Sequence, residues 1–157
     1  MIRVQWALYH LARLILALVF IYAGTVKMQD VVAFAGHVAA YQILPYAANY
    51  LVASTLPYVE FLAGVMLLLN LRVRPALVTV AAMTVVFMVA LVSVLWRGLE
   101  IDCGCFNPGG GQETTAGVAL LRDIGLLVLI VVVWWLRSRI MAVKSFVRRA
   151  RHAQDQG

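Results

Sequence analysis

Cys103 and Cys105 are the only cysteines in the chain, and a single glycine separates them. A cross-link over one residue removes very little unfolded-state entropy, so stability does not explain the pair. Gly104 lacks a Cβ and reaches backbone conformations closed to other residues, which lets two neighbouring sulfurs fold together and separate again. The triplet therefore reads as an exchangeable thiol couple, attacked and released through mixed disulfides. Glu100 and Asp102 work against thiolate formation, and Arg97 and Arg122 favour it. Two other chemistries stay open. Paired thiolates hold soft ions such as Cu(I) or Hg(II), whereas zinc needs two more ligands, and Glu100, Asp102 and His37 stand at no recognisable spacing. The triplet can also simply pin a loop in a noncatalytic assembly subunit.

The elements that present this triplet are apolar and long. The 157 residues are 64% hydrophobic and 13% charged, with a mean hydropathy of +0.91. That composition belongs to an integral membrane protein, because a soluble domain of this size needs more polar surface. A spanning helix takes roughly 20 apolar residues, and the pattern predicts spans at about 7–28, 50–69, 75–96 and 118–136. The expected fold is an all-α four-helix transmembrane bundle over residues 1–142, with a basic tail over 143–157. The first span carries Arg13, runs into Lys27 and shows no convincing cleavage site, so it reads as a retained helix. Between the first two spans, Val31, Phe34, Ala35 and Val38 recur at helical spacing in a segment too short to cross. They predict an extra interfacial helix, broken at Pro45. Tyr41, Tyr46 and Tyr50 suit the headgroup level, as do Trp134 and Trp135 at the far end of the last span.

The net charge of +6 has its own explanation. Six of the thirteen basic residues lie between Arg137 and Arg151, and the bias of Lys and Arg sets orientation rather than marking a nucleic-acid surface. Both termini are then expected in the cytoplasm. The Cys-Gly-Cys loop, 97–117, falls outside the cytoplasm, where disulfides form and persist. The Gly-rich stretch of that loop lacks the Lys-Ser/Thr of a phosphate-binding loop.

Besides His10 and Lys27 toward the ends of the first span, four ionisable residues fall inside the predicted spans: Arg13, Glu60, Arg122 and Asp123. Each costs roughly 2.5 to 3.5 kcal/mol to insert and is expected to face the bundle interior and pair. By helical rise Arg13 lies about 11 Å above the inner boundary and Glu60 about 15 Å below the outer one. The two depths nearly coincide, which predicts an Arg13–Glu60 pair, either as a packing device or as a tuner of redox chemistry. Arg122 and Asp123 lie about a turn below the cysteine loop. They read either as an interfacial anchor or as a source of positive potential and a proton carrier. Lys27 is expected to snorkel outward.

Arg13, Ala23-Gly24 with Lys27, Tyr41-x-x-Leu44-Pro45, Leu56-Pro57-x-x-Glu60-x-x-x-Gly64 and Arg97-Gly98-x-x-Ile101-Asp102-Cys103-Gly104-Cys105-Phe106 together resemble the MauE branch of the DoxX-like membrane proteins. The likeness runs from the first helix through Arg122, and Asp-Cys-Gly-Cys-Phe is its most specific part. It implies a small four-helix protein of the bacterial cytoplasmic membrane. The resemblance further implies helping a periplasmic, disulfide-rich methylamine dehydrogenase subunit to mature, and a link to quinones through the DoxX-like relatives. Phe106-Asn107-Pro108 departs from the expected pattern, in which a Gly follows the Phe. With a membrane quinone as acceptor, the expected partners are a periplasmic thiol or disulfide protein and the lipid bilayer, without nucleic acid or a resident metal.

Overall fold

The computed structural model describes residues 2–43, 45–98 and 116–154, with side chains over 4–43, 45, 47–98 and 117–143. Five helices follow one another: α1 (Ile2–Gln29), α2 (Val31–Ala40), α3 (Tyr46–Leu68), α4 (Val73–Trp96) and α5 (Ala116–Gln154). Four stretches are long and apolar enough to cross a membrane: Val4–Gln29, Ala47–Leu68, Val73–Trp96 and Gly117–Val143. The expected four-span bundle with a short helix between its first two spans is the architecture observed. Leu18, Val86 and Val131 stand exposed on its outer faces, as residues do where acyl chains are the solvent. The tail continues α5 as helix to Gln154 and does not break away at residue 143.

The inward face of α1 is written at helical spacing. Tyr9, Ala12, Arg13, Leu16, Ala17, Phe20, Ala23, Gly24 and Lys27 are all buried, a stripe at steps of three and four along one side. Against it lies α3, antiparallel and close, because two glycines remove the side chains that would separate the backbones. A Cβ on Gly24 would stand 2.8 Å from the Phe61 nitrogen, and one on Gly64 would stand 2.9 Å from the Ile21 nitrogen. Small residues at such crossings let membrane helices gain dispersion contacts that lipid tails do not supply. Leu16, Leu67, Leu77 and Val133 complete the core between α1, α3, α4 and α5.

Two turns shape the ends of the bundle. At one end Asn70 and Arg72 take positive φ, at 58° and 41°, to bring the chain from α3 into α4. At the other, α2 is capped by Asp30, whose carboxylate accepts from the Ala33 nitrogen at 2.8 Å, the usual remedy for an orphaned N–H at a helix start. Phe34 is buried, while Val32 on the opposite side of α2 is exposed, so the predicted stripe is the packed face. The helix ends at Tyr41, and Gln42 turns the backbone at φ 51°. Pro45 does not break α2, as the sequence led us to expect; it serves as N-cap of α3, where a fixed φ and a missing N–H are tolerated.

Candidate functional site

Two ion pairs sit in the upper half of the bundle, toward the end where α4 leaves for the cysteine loop. Lys27 Nζ donates to both carboxylate oxygens of Glu60, at 2.7 and 2.8 Å, with both residues buried. The Phe34 ring of α2 closes over the ammonium, its centroid 5.2 Å from Nζ. On α5, Arg122 Nε and Nη2 both donate to Asp123 Oδ1, at 3.0 and 2.9 Å. Asp123 is buried, and its second oxygen, Oδ2, has no hydrogen-bond partner among the described residues.

The expected Arg13–Glu60 pair is not formed. Arg13 and Lys27 are fourteen residues apart on α1, about 21 Å along the helix, and Glu60 meets the latter. Equal depth for Arg13 and Glu60 requires α1 and α3 to begin and end at common boundaries. Instead α2 occupies the level beyond the end of α1, and the Gly24 and Gly64 contacts set a register that brings Glu60 opposite Lys27. Lys27 is therefore a buried partner rather than an outward-reaching anchor. Its helical phase carried the signal, because position 27 continues the stripe of Phe20, Ala23 and Gly24. Arg13 lies instead at the opposite end, 5.9 Å from the centroid of the Tyr9 ring.

Both ion pairs face one cavity of about 620 Å³, within the range of about 300 to 1,000 Å³ that small-molecule sites occupy. Its walls are otherwise mostly apolar and aromatic, including Phe20, Phe34, Tyr41 and Phe87. The lining reaches Val86 and Val89, which are exposed on the outward flank of α4, and runs up to Ser93 and Ile43. The cavity thus extends from a lipid-facing flank to within about one helical turn of Arg97. Small side chains on α4, Ala82, Ala90 and Ser93, leave the space, and α3 meets α4 less closely than it meets α1.

Arg97 ties this region to the exit of α4. Nη1 donates to the Tyr41 carbonyl at 3.1 Å and Nη2 to the Gln42 side-chain oxygen at 3.2 Å, so the start of the cysteine loop is clamped to the α2–α3 link. Gly98, at φ 64°, then turns the chain off the helix. Asp102, Cys103, Gly104 and Cys105 lie outside the described residues. Among the described residues no three His, Cys, Asp or Glu side chains gather as a metal site would require.

The family described as methylamine utilisation protein MauE matches residues 5–136. The chain belongs to the MauE family. It is 38% identical over 127 residues to the methylamine utilization protein MauE of Paracoccus denitrificans, covering 80% of this chain and 66% of that one. The matched span reaches into all four candidate membrane crossings of this MauE-family chain and stops at Leu136, inside the fourth, which runs from Gly117 to Val143. No solved structure matches the chain.

Proposed function

We propose that this MauE-family chain is a membrane thiol–disulfide oxidoreductase that works in methylamine utilisation, exchanging disulfides with a periplasmic partner such as a maturing dehydrogenase subunit. The observation that carries this reading is the cavity between the ion pairs and the exit of α4. It joins a lipid-facing flank to the root of the Cys-Gly-Cys loop, and its volume of about 620 Å³ supports a small-molecule ligand such as the headgroup of a membrane quinone. Lys27 and Arg122 offer N–H donors on its wall, and Phe34 and Phe87 offer flat apolar surface. A quinone bound there would supply a two-electron, two-proton acceptor for the thiols.

A partner dithiol reduces the Cys103–Cys105 disulfide through a mixed disulfide, and the partner leaves oxidised. Reclosure of the Cys103–Cys105 bond then releases two electrons and two protons. Asp123, with one oxygen held by Arg122 and the other unpartnered, is placed to carry a proton into the cavity. Lys27 and Glu60 fix the α1 wall, and the Lys27 ammonium would favour negative charge on a quinone oxygen held in the cavity. Arg97 keeps the loop root beside the cavity mouth. In this arrangement both termini are cytoplasmic and the loop is periplasmic, as the basic tail favours.

The redox state of the two thiols in native membranes, read by alkylation and mass shift, tests the proposal. Depleting the quinone pool is expected to shift Cys103 and Cys105 to the reduced form, and Cys103→Ser or Cys105→Ser to abolish partner oxidation. A pair that keeps one oxidation level throughout, or partner oxidation that survives both replacements, would overturn it.

A further inference from the structure

The opposite end of the bundle holds a charge imbalance that redox chemistry does not use. Arg13 is buried, and its Nε and Nη1 have no hydrogen-bond partner among the described residues. Arg137, on α5, donates from Nη1 to the Tyr9 hydroxyl at 3.1 Å, and its buried Nε has no partner. The Tyr9 hydroxyl in turn donates to Asn70 Oδ1 at 3.4 Å. One tyrosine therefore gathers two guanidinium groups, one against its ring and one at its hydroxyl, where α1, α5 and the α3–α4 turn meet.

No described carboxylate is left to balance them. The chain has seven acids. Glu60 is held by Lys27, Asp123 by Arg122, and Asp30 caps α2. Glu100, Asp102 and Glu113 fall between α4 and α5 in the sequence and Asp155 in the tail, all outside the described residues. Burying an uncompensated guanidinium is costly. Arg137 stands two residues after Trp135 and its neighbour Trp134, an aromatic pair of the kind that marks the headgroup level. The exposed Arg72 and Arg74 beside Asn70 add to the same positive field.

We infer that Arg13 and Arg137, gathered on Tyr9, form a binding site for the phosphate of an anionic phospholipid headgroup. A phosphate oxygen accepts readily from guanidinium N–H groups, whose fork matches its geometry. A headgroup at this level brings the missing negative charge without a protein carboxylate. The site lies at the far end from the cysteine loop and is independent of the thiol chemistry.

The full chain, stripped of lipid in detergent, is titrated with phosphatidylglycerol or phosphatidylcholine, and retained lipid is counted by native mass spectrometry beside the thermal unfolding midpoint. The wild-type chain is expected to retain phosphatidylglycerol about tenfold more tightly, the worth of one charge-assisted hydrogen bond. Arg13→Gln and Arg137→Gln are each expected to erase the preference. Tyr9→Phe, which keeps the ring and releases Arg137, is expected to weaken it even if the arginine variants fail to fold. Arg139→Gln, on a residue stacked over Trp135, and Asp155→Asn are expected to leave it intact. Equal retention of the two lipids, or loss of the preference in either control, would overturn the inference. So would an equal rise in the unfolding midpoint from inorganic phosphate alone, which would assign the site to a free anion.

Discussion

Lys27 and Glu60 form a buried, two-oxygen ion pair between α1 and α3, with Phe34 of α2 lying over the ammonium. The pair joins three helices at the cavity wall, so its loss reaches both stability and the site. Removing one partner strands a buried charge or leaves its place unfilled, and Glu60→Leu or Lys27→Met is expected to destabilise the chain by about 3 to 5 kcal/mol. The double variant Lys27→Met/Glu60→Leu is expected to recover most of that loss. A double-mutant cycle on thermal unfolding checks the coupling, and strictly additive losses would contradict it.

The close crossing of α1 and α3 gives a second prediction. Gly24→Ala would put a Cβ 2.8 Å from one backbone nitrogen of α3 and 2.9 Å from the Pro57 carbonyl oxygen. Neither is the far end of a side chain that can swing away. A loss of about 1 to 3 kcal/mol is expected, in the range of overpacked cores. Gly36→Ala on α2 meets nothing within 4 Å and is expected to gain about 0.5 to 1 kcal/mol from helix propensity. If unfolding midpoints move alike in the two variants, the glycine contact does not set the register.

Much of this architecture was legible in the sequence, and the exceptions share a physical cause. Hydropathy gives the spans because lipid demands long apolar helices, and the stripe of Val31, Phe34, Ala35 and Val38 gives α2. Pairing across helices depends on register, which hydropathy does not carry. Arg13 and Glu60 seemed level only because the height taken up by α2 was not counted. Lys27, near the end of its helix, resembled a snorkelling anchor, although its phase placed it on the buried face. Arg122 and Asp123 were legible as site residues but not as partners. Adjacent helical positions point about 100° apart, and only the length of the Arg122 side chain brings its guanidinium back to Asp123.

Arg97 gives a third prediction, which concerns the loop root. Its two hydrogen bonds cross from the end of α4 to Tyr41 and Gln42. Arg97→Ala is expected to speed amide hydrogen exchange over 41–43 and to change the alkylation rate of reduced Cys103 and Cys105 in membranes. Arg97→Lys keeps the charge but loses the fork and is expected to resemble alanine in hydrogen exchange. Unchanged exchange in both variants would mean that the clamp does not hold the link.

Asp123 gives the sharpest separation between a structural and a chemical role. Its Oδ1 accepts twice from Arg122, its Oδ2 has no hydrogen-bond partner among the described residues, and the residue is buried on the cavity wall. An ion pair that served packing alone would tolerate Asp123→Asn poorly in stability and leave turnover of the surviving protein unchanged. A proton carrier gives the opposite split. Asn keeps the shape and one acceptor for Arg122 but cannot take up a proton at neutral pH. Asp123→Asn is therefore expected to lower kcat for quinone-coupled thiol oxidation by about 10²-fold or more, the usual worth of a positioned acid–base group. KM for the quinone should change little, and Asp123→Glu should restore part of the rate. Stopped-flow oxidation of the reduced chain by a soluble quinone, with unfolding recorded on the same samples, distinguishes the two roles. A variant that turns over at the wild-type rate would remove Asp123 from the chemistry and leave the cavity without its proton route.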